Sequence, residues 1–488
     1  MVLGVFRLKS DLASCLNSVP HGTACIPETS PPISTANPIT FPILLRLVNG
    51  ATECTEAAFL GLPGNVPHIC GYAILSHMGK LELLAPAGDM TCLQAALDAG
   101  ADAVYLGLAD FNMRARSGVN FTRETLPEAS RRCRARGVKL YLALNAIVFE
   151  GELAAVEDLI VFAKPLVDAF IVADWGVIAL CRKHGAAFHV STQMSCSNSL
   201  AARFLKEQGA ARVVLARECT LAEAREIVRT AGVEIEAFVH GAQCIAESGR
   251  CLLSHEAYGC SANRGECHQP CRRRFLIKAV DRYTDKDGNP IHDADAEFEV
   301  TPHTVLSAKD LCSLPFIDKL VESGIASFKI EGRARKPEYV HTVVRAYRTA
   351  VDAVLAGTFT PELADRLVEE TKTVFHRELG TGLFFGRPGV DQYTDHEDSL
   401  ATSVKRHSGI VIDYFLKAGI VQVQIQDHPL AVGDHVQVHG STTGVVEVII
   451  ESLRRDDEIL QRAERGNWVT FPCPRVRVGD KVFFMENI

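Results

Sequence analysis

Four cysteines between positions 244 and 271 are the residues whose type and spacing point most clearly to chemistry. Cys244, Cys251, Cys267 and Cys271 form a C-x6-C-x15-C-x3-C array. Four thiols in so short a stretch are most simply explained by one metal centre. Cys260 lies in the same stretch and is the one competitor for a ligand position. This segment is therefore the best guide to function.

The spacing alone leaves several kinds of site open. Structural zinc sites usually contain two close cysteine pairs, whereas here only Cys267 and Cys271 are close. An iron–sulfur cluster tolerates more varied spacing because its iron corners face different directions. A disulfide framework needs an oxidising compartment, but the chain shows no convincing secretory signal. The pattern favours a cluster in a reducing cytoplasm, with zinc and buried structural cysteines as the alternatives.

Composition limits the class of protein. The chain has 488 residues, enough for two or three domains, and is 47% hydrophobic and 23% charged, as is typical of a soluble globular protein. Its formal charge of −8 argues against nucleic-acid binding by bulk electrostatics, so RNA contact would need a local basic patch. No apolar run reaches the roughly 18 residues of a membrane span. Some cysteines outside the array are expected to be small buried hydrophobes: Cys92, Cys133, Cys181 and Cys219.

The chain divides into three segments by pattern. Residues 1–77 are rich in Pro, Ser, Thr and Asn and lack a sustained period, so we expect a disordered extension or a translation start at Met78. Residues 78–395 alternate strand-like and helix-like stretches. Residues 396–488 contain short alternating strands separated by Gly and Asp, which predicts a small all-β barrel domain.

The middle segment predicts an α/β fold. Eight strand-like runs alternate with helical stretches, several ending in glycine, at 81–85, 103–108, 139–145, 169–173, 187–191, 212–216, 234–240 and 326–332. This alternation predicts a parallel (β/α)8 barrel. The cysteine array begins directly after the seventh run, in an insertion at 241–320. It should therefore lie at the C-terminal face of the barrel, where active sites of this fold are found.

Polar residues at the C-terminal ends of the strands should converge on one pocket. The candidate catalytic residues are Arg114, Arg116, Asn145, Gln193, His240, Lys329, Glu331 and Arg333. Several guanidinium groups around one opening suggest an anionic ligand.

Each of these residues also has a structural interpretation. Arg217 could brace the rim by pairing with Glu331. His240 fits a structural histidine somewhat better than a proton shuttle. The arginines that follow the last cysteine could bind phosphate or form a solvated charge run: Arg272, Arg273 and Arg274. No HExxH, GxSxG or P-loop motif is present, so those chemistries lack their sequence marks.

Several segments together resemble one known family. LELLAPAGDM, FNMRARSGVNF, EAFVHGAQCIAESGRCLLS, SANRGECHQPCR and SFKIEGRARKPEYV resemble the U32 peptidase (collagenase-like) family over residues 80–390. The family signature is matched from Glu236 to Ser254. It departs at Gln243, where an aliphatic residue is usual.

The resemblance implies two kinds of activity. Some members are named proteases. Others are oxygen-independent hydroxylation proteins for tRNA wobble uridine, a 23S rRNA cytidine or the ubiquinone ring, with a [4Fe-4S] cluster and prephenate as the hydroxyl source. The SANRGECHQPC segment is most similar to the RNA-hydroxylating members, and Cys271 argues against the ubiquinone branch. The resemblance therefore implies nucleobase hydroxylation in tRNA or rRNA with a small dicarboxylate, and proteolysis is the alternative.

Overall fold

The computed structural model describes residues 81–115, 120–247, 250–273, 306–386 and 390–488. The predictions for residues 1–77 lie outside these ranges. None of the described helices is long and apolar enough to cross a membrane.

Eight parallel strands close a barrel. They are accompanied by one short antiparallel strand, β8. In chain order the strands are β1 (Glu82–Pro86), β2 (Ala103–Leu106), β3 (Lys139–Leu144), β4 (Ala169–Val172), β5 (Phe188–Val190), β6 (Arg212–Val214), β7 (Glu234–Gly241), β8 (Asp310–Cys312) and β9 (Ser327–Ile330). The barrel closes because β9 pairs in parallel with both β1 and β7. The predicted (β/α)8 fold is confirmed.

Helices follow the strands and cover the barrel. They are α1 (Met90–Asp98), α2 (Leu126–Ala135), α3 (Leu153–Ala163), α4 (Trp175–Lys183), α5 (Ser199–Glu207), α6 (Leu221–Ala231), α7 (Leu253–Tyr258), α8 (Ile317–Glu322), α9 (Pro337–Leu355) and α10 (Pro361–Lys372). Helix α4 begins where it does because the Asp174 carboxylate accepts hydrogen bonds from two free N–H groups of its first turn. Helix α6 ends at Gly232, which has a φ of 65°.

The insertion between β7 and β9 adds structure that the sequence did not predict. Strand β8 pairs antiparallel to the end of β7, and β10 (Leu379–Gly380) pairs in parallel with β8. Helix α7 belongs to the cysteine segment, whereas α8 is the barrel helix that precedes β9. The sheet is thus extended at the barrel mouth, beside the array.

The interior of the barrel is charged as well as packed. The Lys329 ammonium donates to the fully buried carboxylate of Glu236 at 2.8 Å, and the Arg212 guanidinium lies 3.3 Å from the same carboxylate. Arg212 also pairs with Glu82, which accepts a hydrogen bond from the Tyr141 hydroxyl at 2.7 Å. The two cations and two carboxylates compensate one another, as buried charges must.

The C-terminal segment forms an all-β unit with its own apolar core. Its strands are β11 (Ser403–Phe415), β12 (Ile420–Ile425), β13 (Leu430–Ala431), β14 (His435–Gly440), β15 (Gly444–Ile449), β16 (Leu453–Arg455), β17 (Glu458–Leu460), β18 (Arg462–Ala463), β19 (Trp468–Pro472) and β20 (Lys481–Asn487). They form an eight-stranded sheet and a two-stranded one. The unit contacts α9 through the pairs Lys405–Glu338 and Arg345–Glu447. The prediction of an all-β domain is confirmed.

Candidate active site

A cavity of about 160 Å³ lies at the C-terminal ends of the barrel strands. One wall comes from the cysteine segment and the other from the barrel. Residues predicted from the sequence that line it are Arg114, Asn145, Gln193, Cys244, Cys251, Cys267, Cys271, Lys329, Glu331 and Arg333. Thus most of the predicted residues lie around one space.

All four cysteines of the array line this cavity and are free thiols. They are close enough for three of them to influence the pKa of Cys271, which burial raises while Arg272 acts in the opposite direction. Cys260 is not among the lining residues, and its thiol faces the backbone carbonyls of Ser254 and Glu266. The geometry therefore separates Cys260 from the array.

The donor set on one wall of the cavity consists of four thiols. In the ranges that the structure describes, no three Cys, His, Asp or Glu side chains are gathered tightly enough to hold one metal ion. Four thiolates can bind a tetrahedral zinc ion, and they can also bind a four-iron cluster with one thiolate at each corner. The donor chemistry is compatible with either group.

Close backbone contact holds the array against the barrel. Gly265 has a φ of 94°, and a Cβ on it would lie 2.4 Å from the carbonyl oxygen of Asn112. The adjacent Arg264 pairs with Glu152 at 2.5 Å and donates to the carbonyl of Ile147 at 3.0 Å. The cysteine segment is thereby attached to the loops after β2 and β3.

Arg272 braces the other end of the array. Its guanidinium is buried and donates to the carbonyl of Gln243 at 2.6 Å, to the Ser307 hydroxyl at 3.2 Å and to the carbonyl of Ala308. These bonds engage both terminal nitrogens, so Arg272 is neither a solvated charge nor an open phosphate site. Arg273 lies over the ring of Tyr258, and Arg274 is outside the described residues.

An ion pair crosses the cavity between two predicted residues. The Arg114 guanidinium donates to the Glu331 carboxylate at 3.0 Å. Burial would raise the pKa of Glu331, but Arg114, Arg335 and Arg217 outweigh it and the pKa is lowered. Glu331 is therefore a carboxylate at neutral pH. Its hydrogen-bonding partner is Arg114 rather than Arg217.

Among the described residues, no carboxylate is hydrogen-bonded to two further arginines that line the cavity. Arg217 donates to the carbonyl of Ala242 at 3.1 Å and stacks over Phe238, and its buried Nε has no hydrogen-bond partner in the described ranges. Arg333 donates to the side-chain oxygen of Asn112 at 2.9 Å. Burial lowers the pKa of Arg333 to about 10. Desolvated guanidinium groups of this kind suit an anionic ligand.

The amides on the opposite side form a hydrogen-bonded group. Asn145 donates to the Ser191 hydroxyl and to the Gln193 carbonyl oxygen, each at 3.2 Å. Its own oxygen accepts from the backbone N–H of Met113 at 3.2 Å. Both amides are therefore held in one orientation at the cavity wall.

Among the described candidates, His240 is not brought into the cavity. His240 is buried and is not among the lining residues, and its ring lies 3.3 Å from the Tyr347 hydroxyl. Burial lowers its pKa to about 3, so the ring is neutral at physiological pH. A register shift between Phe238 and His240 places His240 opposite Ile330, so the inward alternation of the strand is broken there. Arg116 lies outside the described residues.

Two aromatic residues that line the cavity were not predicted from the sequence. Tyr105 on β2 and Phe238 on β7 line the floor, and the Lys329 ammonium lies 4.5 Å and 5.4 Å from their ring centres. Strand alternation could have found them, because each lies two residues after an inward-facing position. Burial raises the pKa of Tyr105, which donates to the carbonyl of Ile330 at 2.9 Å.

The family is established by comparison with known proteins. The family model for peptidase family U32 matches residues 88–394. The chain belongs to the U32 family. The predicted resemblance is confirmed, and the match covers the barrel from just after β1, together with the cysteine segment of this U32 chain.

Relatives within the U32 family have different names. "Collagenase" from Porphyromonas gingivalis is 37% identical over 84% of this chain and 99% of its own length. "tRNA hydroxylation protein P1" from Bacillus subtilis is 36% identical over 78% of this chain and 88% of its own length. "23S rRNA 5-hydroxycytidine C2501 synthase" from Escherichia coli is 35% identical over 61% of this chain and 44% of its own length.

Proposed function

We propose that this chain is a cytoplasmic enzyme that hydroxylates a nucleobase in tRNA or rRNA without oxygen, using an iron–sulfur cluster and a small anionic co-substrate such as prephenate. The observation that carries the proposal is the sharing of one cavity by the four thiols and the arginines. The relatives named for tRNA and rRNA hydroxylation support the choice of substrate.

The cluster would be held by Cys244, Cys251, Cys267 and Cys271. When bound, it would supply redox-active iron at the cavity wall. Burial raises the pKa of the Cys244 and Cys271 thiols, while Arg217 acts in the opposite direction at Cys244 and Arg272 at Cys271.

The remaining residues divide between the two substrates. Arg217 and Arg333 line the cavity, with no carboxylate hydrogen-bonded to either in the part of the chain that the structure describes, and would hold the carboxylates of the co-substrate. Asn145 and Gln193 carry donors and acceptors suited to the edge of a flipped base. The Arg114–Glu331 ion pair would orient the reacting groups of the two substrates.

Nucleoside analysis of a deletion strain tests the proposal. Total tRNA and rRNA nucleosides should lose one hydroxylated species, which returns with the wild-type gene and not with Cys267→Ser. Cys260→Ser is the matched control and should restore the species. A nucleoside profile that the deletion leaves unchanged would exclude RNA hydroxylation.

The rival function is proteolysis, which the relative named collagenase supports. In that case Glu331, His240 or a metal-bound water would serve as catalyst. Peptide release that survives Cys244→Ala and disappears in Glu331→Ala would favour it. The structure gives little support to proteolysis, because the Glu331 carboxylate pairs with Arg114 and His240 lies outside the cavity.

Zinc is the alternative metal. A molar ratio of zinc to protein near one, with no sulfide in the sample, would identify it. A non-enzymatic scaffold would bind the cluster and change no nucleoside.

A further inference from the structure

An exposed apolar surface lies on the segments that follow β3, β4 and β5, beside the cavity. The aromatic rim, as we name it, consists of Ile147, Phe149, Trp175, Leu200 and Phe204, each between 47% and 73% exposed. Leu200 and Phe204 are four residues apart and share one face of α5. Exposed apolar clusters of this kind commonly mark interaction sites.

Two contacts connect the segments that carry the aromatic rim. The backbone N–H of Val148 donates to the Asp174 carboxylate at 3.5 Å, which joins the loop of Phe149 to the start of α4. The rings of Trp175 and Phe204 contact edge to face with centres 6.0 Å apart, which joins the start of α4 to α5. The segments that follow β3, β4 and β5 therefore lie next to one another on this side of the barrel.

The aromatic rim also borders the cavity at two places. Asn145, which lines the cavity, precedes Ile147 by two residues. Asn263 lines it as well, and the next residue, Arg264, lies over the ring of Phe149 at 4.3 Å. A polynucleotide with one base in the cavity would thus pass over these rings.

The Phe149 ring is held ready for stacking. Arg264 covers one face of the ring while its charge is compensated by Glu152 at 2.5 Å and 2.9 Å. Arg264 thus braces the ring rather than offering a free charge. A fixed ring costs little conformational entropy on binding.

We infer that the aromatic rim is a stacking platform for the unpaired nucleotides that flank the target base. The inference rests on the proposed function. The formal charge of −8 gives the chain little bulk attraction to phosphates, so RNA binding has to rely on another kind of contact. Stacking uses the uncharged face of each base and tolerates any sequence. The recognised substrate is accordingly a single-stranded RNA loop.

Tryptophan fluorescence can test this directly. The chain has two tryptophans, so Trp468→Phe in the full-length protein leaves Trp175 as the only reporter. An unpaired oligouridine should quench Trp175, whereas the same strand in a duplex and an abasic ribose-phosphate strand should not. Phe149→Ala should weaken the binding of oligouridine by between about fivefold and 150-fold.

The control is an exposed apolar residue far from the aromatic rim. Leu355 is 48% exposed at the C-terminal end of α9, which lies at the opposite face of the barrel, and Leu355→Ala should leave binding unchanged. Raising salt from 50 to 200 mM should reduce affinity far less than the roughly thousandfold loss of a protein with six phosphate contacts.

Several results would overturn the inference. The inference fails if duplex or abasic strands quench Trp175 as strongly as the unpaired strand does. It also fails if Phe149→Ala leaves the affinity for oligouridine unchanged. A blue-shifted Trp175 emission in the RNA-free protein would show that another part of this chain or a second protein covers the aromatic rim. Hydroxylation in cells without any Trp175 quenching would remove the inference and leave the proposed function. Quenching without a nucleoside change would remove only the proposed function.

Discussion

Replacing Gly265 by alanine should detach the cysteine array from the barrel mouth without unfolding the barrel. A Cβ at this position would lie 2.4 Å from the Asn112 carbonyl oxygen and 2.9 Å from the Ala115 backbone nitrogen. Ordinary contact begins near 3.4 Å, so the two segments must separate by about 1.0 Å. Both neighbours are backbone atoms, which cannot rotate away.

The effect on activity should be large because both sides of the cavity depend on this contact. Cys267 lies two residues after Gly265, and Asn112 holds the Arg333 guanidinium at 2.9 Å. A displacement of 1 Å can cost about 100-fold in rate. We therefore expect RNA hydroxylation to fall by roughly 100-fold, with a reduced iron content and little change in the urea midpoint of the barrel.

Gly259→Ala is the matched control within the same segment. Gly259 also has a positive φ, of 66°, but a Cβ there would have no neighbour within 4 Å. Both variants carry the strain of a left-handed alanine, about 1–2 kcal/mol, and only Gly265→Ala has the collision. Equal losses of iron and activity in the two variants would refute the reasoning, since strain alone would then explain them.

Three other perturbations follow from the buried groups. Lys329→Met should destabilise the protein by about 3–5 kcal/mol in urea titrations, because it leaves the Glu236 carboxylate without its closest cation, and adding Glu236→Gln should recover much of that loss. Cys260→Ser should keep the iron and acid-labile sulfide of anaerobically purified protein, whereas Cys267→Ser should lose both; equal losses would place Cys260 in the ligand set. The pKa of His240 is lowered from 6.5 to about 3 in the folded chain. Below pH 6.5 the unfolded chain therefore binds a proton at this histidine, whereas the folded chain does not. Stability should therefore fall toward low pH by up to about 1.4 kcal/mol per unit, and His240→Asn should flatten this slope.

The barrel could be predicted because each of its strands is an apolar run bounded by turn residues. Helix ends were equally visible, as at Gly232, where only glycine adopts the required φ without strain. Strand β8 was not predicted because its two apolar residues, Leu311 and Cys312, are flanked by Asp310 and Ser313 and form neither an apolar run nor an alternation. It exists because the end of β7 offers it backbone partners, which only the folded chain supplies.

The sequence could predict which residues line the cavity, but not which side chains pair with one another. Strand ends gave Asn145 and Glu331 correctly as neighbours of one space. The pairing of Glu331 with Arg114 depends on how two separate loops approach each other, which no local pattern encodes. His240 was named among the candidate catalytic residues, although a structural histidine was the better interpretation. The register shift that turns it away from the cavity leaves no mark in the sequence.

The charges of the site differ in kind from those of the barrel interior. Inside the barrel, cations and carboxylates are balanced, as the pair Lys329–Glu236 illustrates. Apart from Lys329, which Glu236 already balances, the described residues that line the cavity include four arginines and one carboxylate, Glu331. Two groups could supply the missing negative charge: the thiolates of a bound cluster and an anionic co-substrate. The Cys267→Ser variant should lack the cluster, so it can be used to test the co-substrate alone. If a small dicarboxylate still stabilises this variant, the unbalanced positive charge of the cavity is assigned to binding of the co-substrate.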